Sequence, residues 1–281
     1  MLGFHDLLAD RGQLRSLAEA PSGPALRLIL PDARGHGASP MIAGLAYPAS
    51  DLAADALAVL DAEGVQTARV VAIGWGAVTA LALAVVAPHR VASLVLAAPY
   101  LPLPTLASHD AEHDETGERQ LEALREAASA AEKGQLDRAL DVYLSARLGP
   151  RWRDGLPKSR LGAIRRAAGN LGPLLTGMLT DPFAPAAIAG IAAPLTILLA
   201  GDGPDLAGDA AMRVLALLPA PRIERVELES HTGDEDGGEW IPAIARALLD
   251  GQASPPSPIA MGEGGRGVRA DATMRTDCPN V

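Results

Sequence analysis

Gln66 to Pro99 reads QTARVVAIGWGAVTALALAVVAPHRVASLVLAAP. The valine-rich run Arg69 to Ile73 is typical of a strand buried on both faces. Gly74-Trp75-Gly76 forms a tight break, after which the uncharged segment Ala77 to Ala87 is typical of a helix packed between layers. Val91 to Ala98 is a second apolar strand. This order of strand, turn, helix and strand predicts the βαβ unit of a parallel sheet.

The turn in this unit resembles the nucleophile elbow of α/β-hydrolases, in which G-x-S-x-G presents a nucleophile at the end of a strand. Small residues stand at the outer positions of Ala72–Gly76, but Gly74 occupies the nucleophile position. The spacing to Pro88, which in the family ends the elbow helix, favours Gly74 over Gly76 for that position. Gly74-Trp75-Gly76 also resembles the Asp-Trp-Gly elbow of epoxide hydrolases and haloalkane dehalogenases, without its carboxylate. The resemblance therefore predicts an elbow that lacks its covalent nucleophile.

A second motif supports the same family. Pro31 to Ser39 reads PDARGHGAS and resembles the D-x-R-G-H-G-x-S turn that lies beside the pocket of α/β-hydrolases. We interpret His36 as a structural histidine of this turn. A strand is predicted before it, at Ala25 to Leu30, and a helix after it, at Ser50 to Glu63, with Ser50 as N-cap. The fold class implied is an α/β-hydrolase fold, with a mostly parallel sheet flanked by helices.

The amino-terminal residues resemble the middle of this fold. Leu2-Gly3-Phe4 resembles the His-Gly-Phe loop that follows the third strand and supplies one oxyanion-hole amide. The resemblance assigns oxyanion-hole amides to Phe4 and Trp75. Asp6 to Ala20 is predicted to be the next helix, with Asp6 as N-cap. The three strands that precede this point in the family are expected to be missing.

The acid of a catalytic triad is predicted after another buried strand, Pro194 to Ala200. Gly201-Asp202-Gly203-Pro204-Asp205 resembles the G-x-x-D turn that carries this acid, with one residue more. Asp205 is the better candidate and Asp202 the alternative. Either aspartate could instead cap the following helix, Leu206 to Leu218.

The catalytic histidine is predicted at His231. It follows the last predicted strand, Arg222 to Leu228, and precedes the closing helix, Trp240 to Leu249. In the family, the histidine lies between these two elements. The order of elbow, acid and histidine is also that of the family.

The resemblance divides the chain into four parts. Residues 1–100 form the N-terminal part of the hydrolase core, 101–191 a helical lid, 192–250 the C-terminal part of the core, and 251–281 a disordered tail rich in Gly, Pro and Ser. The lid is predicted to contain helices at Glu118 to Lys133, Leu136 to Leu148 and Gly162 to Leu179.

A possible metal motif lies inside the predicted lid. His109-Asp110-Ala111-Glu112-His113 matches H-x-x-E-H, in which two histidines at i and i+4 share one helix face. No helical context for a third ligand is evident, and acidic residues follow. We therefore interpret the segment as a solvated lid entrance and predict neither a metal nor a cofactor.

Composition narrows the possible partners. The 281 residues carry a formal net charge of −10, which argues against binding a nucleic-acid backbone. Cys278 is the single cysteine, so no disulfide framework forms.

The amino terminus lacks an apolar stretch long enough for a signal peptide. The uncharged run Val70 to Pro88 is long enough for a membrane span, but the glycine break interrupts it. We expect a cytoplasmic protein that acts on a small molecule without binding a membrane; the sequence does not indicate its oligomeric state.

Two functions remain open. In the first, a His231–Asp205 pair acts as general base on a small ester, lactone or related carbonyl compound, without a covalent intermediate. In the second, the chain is a pseudoenzyme whose pocket binds a small apolar ligand or a protein partner. A glycine at the elbow cannot attack a carbonyl carbon, so a covalent mechanism at that position is excluded. The sequence does not decide whether turnover without a covalent intermediate remains.

Overall fold

The computed structural model describes residues 1–20, 27–42, 46–101, 115–154, 156–180, 184–201, 217–218, 221–227 and 240–253. The strands in these ranges form a five-stranded sheet in the order β1-β2-β3-β4-β5, and each neighbouring pair is parallel. They are β1 (Leu2–Phe4), β2 (Ala68–Ile73), β3 (Val91–Ala97), β4 (Leu195–Ala200) and β5 (Arg222–Val226).

The predicted βαβ unit lies at the centre of this sheet. Between β2 and β3 runs the buried helix α2 (Gly76–Val86). Successive residues of β2 face opposite sides: Val70 packs into one apolar cluster and Val71 into another. Because both faces are covered, the strand needs a continuous apolar run and not an alternating one.

The prediction of a loop at Leu2 to Phe4 is wrong. These residues form β1, which pairs with β2 on one side and, through a single bridge from Leu2, with Ile29 on the other. Leu2 is fully buried, and the backbone N–H of Gly3 donates to the Ile29 carbonyl at 2.9 Å. One of the strands expected to be missing is therefore present in short form, between β2 and Ile29. Of the predicted strand at Ala25 to Leu30, the structure describes Arg27 onward.

The helices outside the βαβ unit are α1 (Ala49–Ala62), α3 (Glu115–Glu132), α4 (Leu136–Leu148), α5 (Lys158–Ala167), α6 (Leu171–Thr180), α7 (Pro185–Ala189) and α8 (Ile241–Ala253). Short 3-10 helices span Arg11–Ala18, Pro88–Arg90 and Ala168–Asn170. Helix α8 continues to Ala253, so the predicted tail does not begin at residue 251.

Two predicted helix starts are wrong. Asp6 is not a cap: the helical segment begins at Arg11, and Asp10 is its N-cap, accepting from the Gly12 N–H. The reason is local, since Leu8 has a positive φ of 65°, which no helix contains. Helix α1 is preceded by Pro48, so Ser50 lies inside its first turn.

The predicted helix Gly162 to Leu179 is divided in the structure. Helix α5 ends at Ala167, a 3-10 turn follows, and α6 starts at Leu171. Pro173 explains the division, because a proline lacks the N–H of a continuing helix and its ring disturbs the preceding turn. In the first turn of a new helix, proline is tolerated.

Helices cover both faces of the sheet. Helix α2 packs on one face, and its apolar cluster continues into α1, α4 and α6; Leu14, Leu17 and the apolar side of α8 form the cluster on the other face. Within the described ranges, no helix combines the length and apolar character needed to cross a membrane.

Candidate active site

The elbow has the backbone geometry that a nucleophile turn requires. Gly74 has a φ of 55°, a conformation that side chains rarely adopt. Its N–H donates to the Ala97 carbonyl at 3.0 Å, and its carbonyl accepts from the Tyr100 N–H at 3.0 Å. These two hydrogen bonds, to the end of β3 and to the residues that follow it, hold the turn in place at the end of β2.

The side chain of Asp6 fills the space beside Gly74. A Cβ atom added to Gly74 would lie 2.6 Å from Oδ2 of Asp6 and closer still to Oδ1 and Cγ. No real side-chain carbon approaches other atoms so closely. A side chain at residue 74 would overlap the Asp6 carboxylate, so this arrangement requires glycine there.

The Asp6 carboxylate is surrounded by donors. Oδ1 accepts from the backbone N–H of Trp75 at 2.7 Å and of Leu7 at 2.8 Å. Arg147, in the last turn of α4, donates through Nη1 to Oδ1 at 3.0 Å and lies 2.6 Å from Oδ2 through Nη2. Both side chains of this ion pair are 13% exposed. Two converging amides next to an elbow are the arrangement from which oxyanion holes are built, and here both donate to an internal carboxylate.

The second amide differs from the predicted one. The sequence assigns it to Phe4, but Phe4 lies in β1, opposite Ala72. The amide found beside Trp75 belongs to Leu7. The shift follows from β1 itself, because Phe4 continues the strand and the chain turns only after it.

Arg147 lies among aromatic side chains. Its guanidinium stacks over Tyr100, with Cζ 5.1 Å from the ring centre, and Nη1 donates to the Tyr143 hydroxyl at 3.3 Å. Burial by itself lowers the pKa of Arg147, but Asp6, Tyr143 and Tyr100 together outweigh burial and raise that pKa above its ordinary value. Burial raises the pKa of Tyr100 to about 12. Arg147 therefore stays a cation, and its guanidinium pairs with the Asp6 carboxylate.

The main chain around Asp6 is held by two further side chains. The Asp6 N–H donates to Oε1 of Gln13 at 2.7 Å. Nδ1 of His5 lies 2.8 Å from the Asp6 carbonyl, and Nε2 of His5 accepts from the Ala33 N–H at 3.0 Å. Because Nε2 must accept, Nδ1 carries the proton and the ring is neutral. Consistently, burial lowers the pKa of His5.

His36 connects the same loop to the R-G-H-G turn. Its Nδ1 lies 3.1 Å from the Arg34 carbonyl, and its Nε2 faces the Leu8 N–H at 3.4 Å. Burial, followed by the neighbouring His5 ring, lowers the pKa of His36 to about 4. Both ring nitrogens contact the backbone, so His36 has the structural role expected from the sequence.

A cavity of about 550 Å³ opens beside this site. Its walls are the loop after β1, the R-G-H-G turn, one face of α1 and the start of α2. Asp6 and Trp75 line the end near the elbow, and Arg34 and Asp55, which pair at 2.7 Å, line another part. Nε1 of Trp75 is buried and has no hydrogen-bond partner among the described residues.

Several predicted site residues lie outside the described residues. They are His231, Asp205, Asp202, His109 and His113. In the part of the chain that is described, no group of three or more His, Cys, Asp or Glu residues could hold a metal ion.

Sequence analysis missed Asp6 and Arg147 as site residues. Asp6 follows Leu2-Gly3-Phe4 closely, which was a usable signal because the loop after this strand borders the elbow. Arg147 offered none: it is one of several charged residues on an amphipathic helix, 141 positions after Asp6.

Comparison with known proteins identifies the family and the fold. The family model described as alpha/beta hydrolase fold matches residues 4–150. No curated protein matches the sequence. Among solved structures, MenH from S. aureus has a TM-score of 0.66 at 16% identity, covering 90% of this chain and 94% of that chain. An esterase from Thermogutta terrifontis has a TM-score of 0.63 at 18% identity, covering 89% and 88%. An enol-lactonase from Burkholderia xenovorans has a TM-score of 0.63 at 17% identity, covering 90% of both chains.

Proposed function

Because this chain belongs to the alpha/beta hydrolase fold family, we propose that it binds a small, largely apolar molecule in the cavity beside Gly74. Esters, lactones and related carbonyl compounds are the ligand class we assign to it. We further propose that no acyl-enzyme forms at residue 74, which carries no side chain.

The position of the Asp6 carboxylate is the observation that carries this proposal. It accepts the Trp75 N–H at 2.7 Å, and this amide would otherwise hold the oxygen of a substrate carbonyl. While Asp6 stays there, the Trp75 and Leu7 amides are not available to a tetrahedral intermediate, and the barrier to acyl transfer stays high. The filled hole favours the ligand-binding alternative over hydrolysis of carbonyl compounds. A general-base role for His231 and Asp205 stays a prediction, as does a cytoplasmic location.

Two features of the cavity support binding of a small molecule. Its volume of about 550 Å³ falls inside the range of small-molecule sites, roughly 300–1,000 Å³. The buried Trp75 indole N–H has no partner among the described residues, and leaving such a donor unpaired costs about 1–3 kcal/mol. Because this atom has almost no accessible surface, an oxygen of a ligand would pair with it only after neighbouring side chains move.

The first test of this proposal measures acyl transfer. The wild-type protein is mixed with a short-chain aryl ester, and we expect no burst of phenolate and no acylated protein by mass spectrometry. An acyl adduct or a burst would refute the absence of an acyl-enzyme.

The second test measures ligand binding. Unreactive ketone analogues of the ester should raise the melting temperature of the wild type. Ala58, an exposed residue of α1, lines the cavity, so Ala58→Trp should weaken this binding at least tenfold by narrowing the entrance. Ala54→Trp is the matched control, because Ala54 is exposed one turn earlier on α1 and does not line the cavity. Equal binding by all three proteins would place the ligand elsewhere.

A further inference from the structure

Thr79 carries the only polar side chain of helix α2, and it is only 8% exposed. A threonine in a helix commonly donates its hydroxyl hydrogen to the carbonyl three or four residues earlier. Thr180 in α6 does so, with its hydroxyl 2.8 Å from the Thr176 carbonyl. Thr79 makes no such bond, and its hydroxyl has no hydrogen-bond partner among the described residues. Its own helix therefore leaves this nearly buried hydroxyl unsatisfied.

Thr79 belongs to the wall of the cavity beside the elbow. It follows Trp75 by four positions and Gly76 by three, and residues at these spacings are neighbours on one face of a helix. Trp75 and Gly76 line the same cavity. The first turn of α2 therefore presents this face to the cavity, and a ligand at the elbow end can contact Thr79.

The neighbouring donors at the elbow are already engaged or covered. The Trp75 and Leu7 amides donate to Oδ1 of Asp6 at 2.7 and 2.8 Å. The indole Nε1 of Trp75 has almost no accessible surface. A carbonyl oxygen that enters this end of the cavity therefore needs another donor. A threonine hydroxyl supplies one, because its hydrogen rotates to meet an acceptor.

We propose that the Thr79 hydroxyl donates to the carbonyl oxygen of a neutral ligand in this cavity and thereby orients that ligand. The proposal rests on the proposed function, since the carbonyl compound must bind in the same cavity. It assigns the carbonyl oxygen to a side chain of α2 instead of the elbow amides that Asp6 engages. A hydroxyl without a partner destabilises the free protein, and it gains its partner when the ligand binds.

Two ligands of similar shape separate this hydrogen bond from apolar contacts. 4-Phenyl-2-butanone is the unreactive ketone analogue of benzyl acetate, and butylbenzene has a methylene group in place of the ketone carbonyl. Thr79→Val removes the hydroxyl and keeps the branched shape of the side chain. With the full chain and ligand-observed NMR, we expect Thr79→Val to weaken binding of the ketone about fivefold and binding of butylbenzene by less than about twofold.

The same variant gives a second result without any ligand. Because Thr79→Val removes an unpaired and nearly buried hydroxyl, its melting temperature should lie above that of the wild type. Thr79→Ser keeps the hydroxyl and should keep the preference for the ketone. Thr180→Val is the matched control, because it removes a helical hydroxyl that is already bonded and lies outside the cavity wall. It should bind both compounds as the wild type does.

Three results would overturn the proposal while the proposed function stands. The first is unchanged binding of the ketone by Thr79→Val, with binding still weakened by Ala58→Trp. The second is an equal loss of ketone and butylbenzene binding in Thr79→Val, which would indicate a packing effect. The third is a Thr79→Val protein that melts no higher than the wild type or fails to fold, since the hydroxyl then has a partner in the free protein. If neither compound binds the wild type, the proposed function is refuted together with the role of Thr79.

Discussion

Replacing Gly74 by alanine tests directly whether Asp6 and the elbow share one space. The new Cβ adopts the unfavourable φ of 55°, which costs about 1–2 kcal/mol. It also collides with the Asp6 carboxylate and displaces it from the Trp75 amide, a charged hydrogen bond worth about 1.5–3 kcal/mol. We therefore expect Gly74→Ala to lower the free energy of unfolding by roughly 3–4 kcal/mol.

Two further proteins separate these contributions. Gly64 has a similar φ of 65° with nothing within 4 Å of its added Cβ, so Gly64→Ala should cost only the conformational part, about 1–2 kcal/mol. In an Asp6→Ala background, Gly74→Ala should cost about the same as Gly64→Ala, because the collision is gone. Urea unfolding followed by tryptophan fluorescence gives all these values. If Gly74→Ala costs the same with and without Asp6, within about 0.5 kcal/mol, the two residues do not interact and the reasoning fails.

Three other predictions concern the surrounding structure. Arg147→Leu leaves the Asp6 carboxylate without its cation and should lower the free energy of unfolding by about 3 kcal/mol, as measured by urea unfolding. A loss below about 1 kcal/mol would show that the ion pair contributes no more than an exposed pair does. The pKa of His36 is lowered from 6.5 to about 4 in the folded protein. Its neutral ring therefore contributes fully to the free energy of unfolding above pH 6.5, and this contribution is lost as the pH falls toward 4. Between pH 7 and pH 4 the unfolding free energy should therefore fall by about 3 kcal/mol more than in His36→Gln, and equal slopes would contradict this. Gly177→Ala would collide with a main-chain carbonyl and should cost more than about 2 kcal/mol, whereas Gly172→Ala, 3.4 Å from its nearest neighbour, should be neutral or stabilising by up to about 1 kcal/mol in thermal unfolding.

The parts of the fold predicted most accurately depend on short-range patterns. Helix α4 was predicted at Leu136 to Leu148 and has those bounds, because its apolar residues recur at helical spacing. The central βαβ unit was recognised because a valine run, two glycines and an alanine run are each characteristic of one local conformation. Errors occurred where distant contacts select the conformation. Leu2–Phe4 is a strand only because β2 and Ile29 lie on either side of it.

The sequence by itself determined the fold family, the position of the elbow and the absence of a side chain there, because each of these is set by neighbouring residues. Only the tertiary structure decided what fills that position. Asp6 reaches Gly74 because β1 pairs beside β2, and Arg147 reaches Asp6 because α4 packs over the same end of the sheet. Contacts between residues so far apart in the chain leave no periodic signal in a single sequence. The physical reason is that an aspartate and an arginine are usually exposed residues, and they become a largely buried ion pair beside the elbow only when the packed core brings them together.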